Sequence, residues 1–426
     1  MTMHTHYDAI IIGAGPAGAS AAILLSRYGW RVALVEKQRF PRRKVCGECI
    51  AATNLPLLDE LGIGRAVADL AGAPLRQVAL MMGEHTIRAP FPAFADARHP
   101  WGVALGREVL DTLLLKQAVR SGADLLQPWA ARSIEGGPGA YRCQVGKVHA
   151  DESATLHAPV LIAAHGSWEL APAGAPHVPE GQQKPQQHSS DLFAFKANFT
   201  EAGLENGLLP VLSFPGGYGG MVVGDNATAT LAFCIRRDRL MRCRQDAPAM
   251  KAAEAAVAHV ARNCAGVRHM LSGARQQGTW LAVGPIRPGI RMPRDGGSAF
   301  LIGNSAGEAH PIIGEGMSMA IQSACLLAGL LGPHRVDMQD AAQQAALRQT
   351  YAQMWHSHFA QRIRLAALFA HVAMRPALTG AVLPVLRMAP HLLTRAAQWG
   401  GKVTRAPMPM PATLHALDTD DLLKEC

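Results

Sequence analysis

Four consecutive apolar residues, Ala9-Ile10-Ile11-Ile12, stand between the polar Asp8 and a glycine. A run of strand length with no polar face predicts a parallel strand covered on both sides. A helical pattern follows over residues 19–28, then a second β-rich run over 31–35. Residues 54–62 read as a short helix, and 76–95 alternate weakly, as strands do. A strong helical pattern opens at Gly106-Arg107 and runs to Val119. Alternation resumes and leads to an apolar run over 158–164. Residues 171–190, rich in Pro, Gly, Gln and His, predict an exposed linker. A β-rich block over about 191–236 precedes a helix at 247–264, a buried strand at 298–303 and a helical run at 316–331. The remainder to 410 reads as helical, interrupted by prolines.

The junction after the first run carries chemistry. Ile12 leads straight into Gly13-Ala14-Gly15-Pro16-Ala17-Gly18, and the second run ends at Glu36. Strand, glycine turn, helix, strand and terminal acid together build a dinucleotide site. Gly13 permits the tight turn, Gly15 lets the backbone approach a pyrophosphate, and Gly18 lets the helix lie close to the strand. The helix start offers free N–H groups to phosphates, and Ala14, Pro16 and Ala17 within the turn count among the cofactor contacts. Glu36, eighteen residues after Gly18, can accept from both ribose hydroxyls. A glycine-rich surface turn would explain neither Glu36 nor the apolar run before Gly13.

A second segment has the same logic. The apolar run at 298–303 ends at Gly303, a loop passes through His310-Pro311, and Gly314 and Gly316 open the next helix. Such a helix start holds negative charge through its dipole and free N–H groups.

Composition narrows the class. The 426 residues suffice for two packed domains and an extension, and 49% hydrophobic against 17% charged residues predicts a large core. The net charge of +9 suits an anionic cofactor or membrane surface. No basic cluster with interleaved aromatics occurs, so no nucleic-acid partner is expected. The opening residues lack a signal-peptide pattern, and no stretch of about eighteen uninterrupted apolar residues predicts a spanning helix. Eight cysteines without a disulfide-framework spacing fit a reducing cytoplasm. No tight His/Cys/carboxylate cluster suggests a metal.

These pieces, in chain order, resemble the single-Rossmann flavoprotein superfamily of aromatic monooxygenases, flavin-dependent halogenases and geranylgeranyl reductases. The matches are the glycine turn with Glu36, Lys44-x-Cys46-Gly47-Glu48, Arg107 opening a helix, Ala164-His165-Gly166 after a strand, and the segment from Gly303 to Met317. Phe214-Pro215-Gly216-Gly217-Tyr218-Gly219-Gly220 resembles the reductases' substrate-domain signature. The resemblance covers about residues 6–335 and implies an α/β fold: a Rossmann-type FAD-binding domain, a β-sheet substrate domain and a C-terminal helical extension. The expected division is 1–75, 100–175 and 281–335 for FAD, 76–99 and 176–280 for substrate, and 336–426 for the helical region. It also implies FAD as cofactor, with NADPH or NADH as electron donor. Gly13, Gly15 and Gly18 would cradle the pyrophosphate, Glu36 the adenosine ribose, and Arg107 the phosphates or nearby atoms. Lys44 belongs to a loop beside the flavin. Asn304 would meet the ribityl chain where many relatives carry Asp, and Gly314, Gly316 and Met317 would lie along the isoalloxazine. His165-Gly166 replaces a frequent Asp-Gly pair, which removes any NADPH-linked role for that Asp.

Three candidate catalytic residues emerge. Cys46 sits in the flavin loop, Tyr218 among glycines where its ring can reach a cavity, and His310 before Pro311. Each also has a plain structural reading: a buried thiol, ordinary packing, a hydrogen-bonding imidazole. Cys46-Gly47-Glu48-Cys49 has redox CxxC spacing, but the second dinucleotide fingerprint of a disulfide reductase is absent. The halogenase motif Trp-x-Trp-x-Ile-Pro is absent too. The leading expectation is a monooxygenase hydroxylating an apolar aromatic or polyketide-type substrate. The alternative is reduction of C=C bonds in an isoprenoid lipid, and a non-catalytic flavin or membrane-binding module is the third class. Residues 361–410 hold seven Arg/Lys and no acid, which suits either peripheral contact with the inner face of an anionic membrane or a helical lid packed on the protein. Oligomeric state has no sequence signal.

Overall fold

The computed structural model describes residues 4–167 and 187–402. Ala9–Ile12 is the middle of a five-stranded parallel sheet, paired with Val160–Ala163 on one side and Val32–Val35 on the other. Phe300–Leu301 and Asp124–Leu126 form the two edges. Both faces of the central strand are covered, which is why it shows no alternation. Ile11 packs among helices Pro16–Arg27, Arg107–Arg120 and Gly316–Leu331. Ile10 and Ile12 pack against an antiparallel three-stranded sheet, Trp129–Gly137, Ala140–Lys147 and Ser153–Ala158.

The second layer system is a seven-stranded sheet, in the order Arg275–Ile286, Leu192–Thr200, Ala229–Arg236, Gly217–Val223, Leu208–Phe214, Gln77–Met82, His85–Pro90. Its back is covered by Arg237–Asp246, Ala252–Asn263 and Ala265–Met270. Two expectations shift here. The helix expected at 247–264 begins at Ala252, because Pro248 falls in the turn and Lys251 caps the start. The strand Arg275–Ile286 runs through the expected border at 281, since its backbone is paired along Leu192–Thr200 as far as Ile286. The linker expected at 171–190 lies mostly outside the described residues.

A 33-residue helix, Ala341–Ala373, joins the two systems. At about 1.5 Å per residue it reaches roughly 50 Å. Asp340 caps its start by accepting from Ala342 N at 2.8 Å, and Tyr351 Oη donates to the Leu301 carbonyl at 3.1 Å. At the far end Ser213 Oγ donates to the Ala373 carbonyl at 2.7 Å. Pro376–Met388 and His391–Ala397 follow and lie over the free edge of the large sheet, with Leu383 and Leu386 against Ile87. Among the described residues, Gly316–Gln339 is long and apolar enough to cross a membrane, but 78% of its apolar window is buried inside the fold. It is a core helix of the domain built on the parallel sheet.

Candidate functional site

The site begins where Ala9–Ile12 ends, at a point flanked by parallel strands on both sides, the position where open α/β sheets bind nucleotides. Gly13 has φ +100°, and a Cβ there would meet the Ala164 carbonyl oxygen at 2.6 Å. A Cβ on Gly18 would lie 1.8 Å from the Gly13 carbonyl oxygen, so the helix must approach bare backbone. Gly15 differs: its Cβ would meet only Arg42 Nη2, at 3.8 Å. Gly15 faces open space, as a pyrophosphate contact must. Glu36, buried, accepts from Ala14 N at 3.0 Å and Gln38 N at 2.8 Å. These bonds fix the carboxylate at the end of its strand.

Sequence reasoning passed over Arg42. Its guanidinium lies 3.4 Å from Glu36 and 3.9 Å from the buried Asp111. It stacks 4.4 Å from the Phe40 ring centroid. Its buried Nε has no hydrogen-bond partner among the described residues. The signal was present in the run Pro41-Arg42-Arg43-Lys44 beside the glycine turn. Arg107, by contrast, is already engaged: its guanidinium grips Asp111 through two bonds of 2.6 and 2.8 Å. Burial alone would weaken its charge, but the paired Asp111 outweighs that and holds it above its ordinary value.

Gly13, Gly15, Glu36, Arg42 and Arg107 open on one cavity of about 670 Å³. Of the residues expected at the site, Gly13, Gly15, Pro16, Ala17, Glu36, Lys44, Cys46, Arg107, Tyr218, Gly303, Asn304, Gly314, Gly316 and Met317 line it. Ala14, Gly18 and His310 do not. Gly314 takes φ +61° and turns the chain into Gly316–Leu331, whose first residue has nothing within 4 Å of a Cβ. Asn304 Nδ2 donates to Glu308 Oε1 at 3.3 Å, and Glu308 also pairs with Arg291 at 3.3 Å.

His310 stands behind the wall. Its Nδ1 lies 3.0 Å from Tyr218 Oη. Burial pushes the imidazole down to about 4, so it is neutral at physiological pH. Burial, and then the neighbouring Cys234 and Glu308, push the Tyr218 phenol well above its usual value. Cys46 and Cys49 form no disulfide among the described residues; Cys46 is partly exposed and Cys49 buried.

The loop carrying Cys46 is tied across the domains. Glu48, at φ +57°, is buried and accepts from Lys196 Nζ, from Thr230 Oγ1 at 2.6 Å and from Arg107 N at 3.1 Å. Lys196 is 1% exposed. No local sequence signal marks this pair, because its members lie 148 residues apart.

An open cradle at Gly15, a fixed ribose-accepting carboxylate, a buried arginine with an unused N–H, and a second helix start facing the same cavity fit FAD. Fold and site together define a dinucleotide-binding flavoprotein. The chain matches the FAD binding domain family over residues 6–363 and belongs to that family of FAD-dependent oxidoreductases. It is 33% identical to menaquinone reductase of Mycobacterium tuberculosis (strain ATCC 25618 / H37Rv) over 130 residues, 30% of each chain. It is 26% identical to squalene epoxidase 3 of Arabidopsis thaliana over 348 residues, 77% of this chain and 61% of that protein. The myxobacterial chondrochloren halogenase shares the fold at TM-score 0.72 and 14% identity, over 95% of this chain and 94% of that one. A geranylgeranyl bacteriochlorophyll reductase-like protein from Thermoplasma acidophilum shares it at TM-score 0.61 and 16% identity, over 92% and 99%. The matched stretch spans under a third of the menaquinone reductase's own length.

Proposed function

We propose that this flavoprotein is a monooxygenase that takes electrons from NADPH or NADH and hydroxylates an apolar aromatic or polyketide-type substrate. The observation that carries the reading is the division of the cavity. Its charged lining residues, such as Glu36, Arg42 and Glu308, all belong to the flavin-side segments. The part walled by the large sheet and the C-terminal helices carries no charged side chain; Leu209, Met221, Phe369 and Leu392 are typical of it. Such a wall favours a greasy ring and keeps water out.

When bound, FAD supplies the electron transfer and oxygen activation, and the protein supplies position and environment. Gly13, Gly15, Glu36 and Arg42 would hold its nucleotide half, with Gly18 letting the helix approach the turn. Asn304, Gly314, Gly316 and Met317 hold the ring half, where the start of Gly316–Leu331 would favour negative charge. Tyr218 Oη and Nδ1 of His310 share a hydrogen bond of 3.0 Å; with the imidazole proton on Nε2 the phenol donates and its oxygen stays an acceptor on the cavity wall. An acceptor there suits a hydroxylated, electron-rich ring. Squalene epoxidase 3, matched over most of this chain, supports an oxygenation reading.

A second reading, reduction of an isoprenoid C=C bond, is favoured by the Cys46 thiol on the cavity wall, a group able to donate a proton. The menaquinone reductase match points the same way. The test is anaerobic reduction of the purified protein with NADPH and NADH, followed by oxygen in the presence of alkylated phenols. Oxygen-dependent product is expected. Full conversion of an alkene before oxygen enters would favour the second reading.

A further inference from the structure

We infer that the outer face of the C-terminal helices is a docking surface for an anionic lipid bilayer, placed at the mouth of the substrate cavity. The helix Pro376–Met388 buries Thr379, Leu383 and Leu386. Its other face would be charged in an ordinary surface helix. Here the exposed residues are Pro376, Ala377, Leu378, Gly380, Ala381, Val382, Pro384, Val385, Arg387 and Met388, of which only Arg387 is polar. Met388 is 88% exposed, and Trp399, Leu368 and Val385 are 60, 56 and 53% exposed. Most of the exposed large apolar side chains of the described residues fall in this one stretch, from Leu368 to Trp399. An apolar patch of this kind marks an interaction surface.

Charge and position identify the occupant. Residues 361–410 contain no Asp or Glu. Arg364, Arg387 and Arg395 are exposed in the same stretch, Arg387 with its guanidinium 2.6 Å from His85 Nδ1. Arg362, counted with them from sequence, is instead buried, 3.7 Å from Glu315 and bonded to Gln322 at 3.0 Å. Residues 403–410 lie outside the described residues. Exposed arginines and exposed apolar side chains in one acid-free stretch fit the headgroup and acyl layers of an anionic leaflet. Leu368 and Val382 are both exposed and part of the cavity lining, which Leu386, Leu392 and Leu393 continue inward. The outer apolar surface is therefore continuous with the cavity wall, and an apolar substrate could pass from lipid to cavity without crossing water.

The test is sedimentation of the full-length FAD-loaded protein with vesicles of phosphatidylcholine alone or of equal parts phosphatidylcholine and phosphatidylglycerol. It reads lipid affinity without substrate, so its outcome is independent of which reaction the enzyme catalyses. Binding to the anionic vesicles, weakened by salt, is expected. Arg387→Gln and Arg395→Gln should each weaken it roughly fivefold, and Val385→Glu with Met388→Glu should abolish it while flavin content stays unchanged. Equal recovery with both vesicle types, or no recovery with either, would overturn the proposal. So would self-association that Met388→Glu abolishes without any vesicle binding, which would assign the face to a second copy. Binding that appears only after residues 403–426 are removed would assign it to that segment.

Discussion

The Tyr218 hydroxyl lies 3.0 Å from Nδ1 of His310, joining a strand of the large sheet to the loop that precedes the helix Gly316–Leu331. Both residues are single candidates in the sequence, 92 positions apart. Folded, they form one unit, Tyr218 in the cavity wall and His310 behind it. Tyr218→Phe should cost about 1 kcal/mol of stability, the net worth of one neutral hydrogen bond. It should leave FAD content unchanged while lowering turnover. Denaturant midpoints together with kcat check this, and unchanged turnover would leave Tyr218 a packing residue.

The same pair sets a pH dependence. The ordinary histidine value of 6.5 is lowered to about 4 at His310 by burial. Between these values the unfolded chain takes up a proton here and the folded chain does not. The contribution is fully present above 6.5 and is lost as the pH falls toward 4. His310→Gln should flatten that part of the stability curve, measured by thermal unfolding in a pH series. An unchanged slope would place the pH sensitivity elsewhere.

Lys196, from the opposite domain, holds the Cys46 loop through Glu48. Lys196→Met leaves a buried carboxylate without its cation and should cost about 3–5 kcal/mol. Adding Glu48→Gln should recover most of that loss, because the charge is then gone from both sides. Chemical denaturation of the two variants decides; a double variant no better than the single one would mean that the ion pair is not the source of the cost.

Arg42 is the cation best placed beside the glycine turn. Arg42→Ala should weaken FAD binding by about ten- to a hundredfold, the worth of a charge-assisted hydrogen bond. Arg107→Ala should instead act first on stability, by stranding the buried Asp111. Flavin titration of the two apoproteins separates them. Equal FAD affinities in Arg42→Ala and wild type would return the phosphate role to Arg107.

Gly15→Val tests the cradle itself. The described structure offers that side chain only Arg42 Nη2 at 3.8 Å, so the fold should survive while FAD binding is lost. A variant that purifies with its full complement of FAD would contradict the placement of the pyrophosphate.

The nucleotide half of the site was legible because its rules are local. Gly13, Gly15 and Gly18 act within one turn, and Glu36 ends the next strand. The opening of the helix at Gly316 was legible for the same reason. What was hidden depends on distance in the chain. Glu48 meets Lys196 only because two sheets dock, and Arg362 turns inward only because Glu315 lies beneath it. A count of charges over 361–410 could not see that. The helix Arg237–Asp246 was hidden for another reason: among its mostly polar residues only Leu240 and Cys243 are buried, too few to set a period.

The proposed reaction is oxygenation inside an apolar cavity. Its most direct measurement is mass spectrometry of the product formed from an alkylated phenol under isotopically heavy dioxygen, with NADPH or NADH as donor. Incorporation of one heavy oxygen atom into the product is the predicted result. A product gaining two hydrogens without dioxygen, and no longer formed by Cys46→Ala, would contradict it.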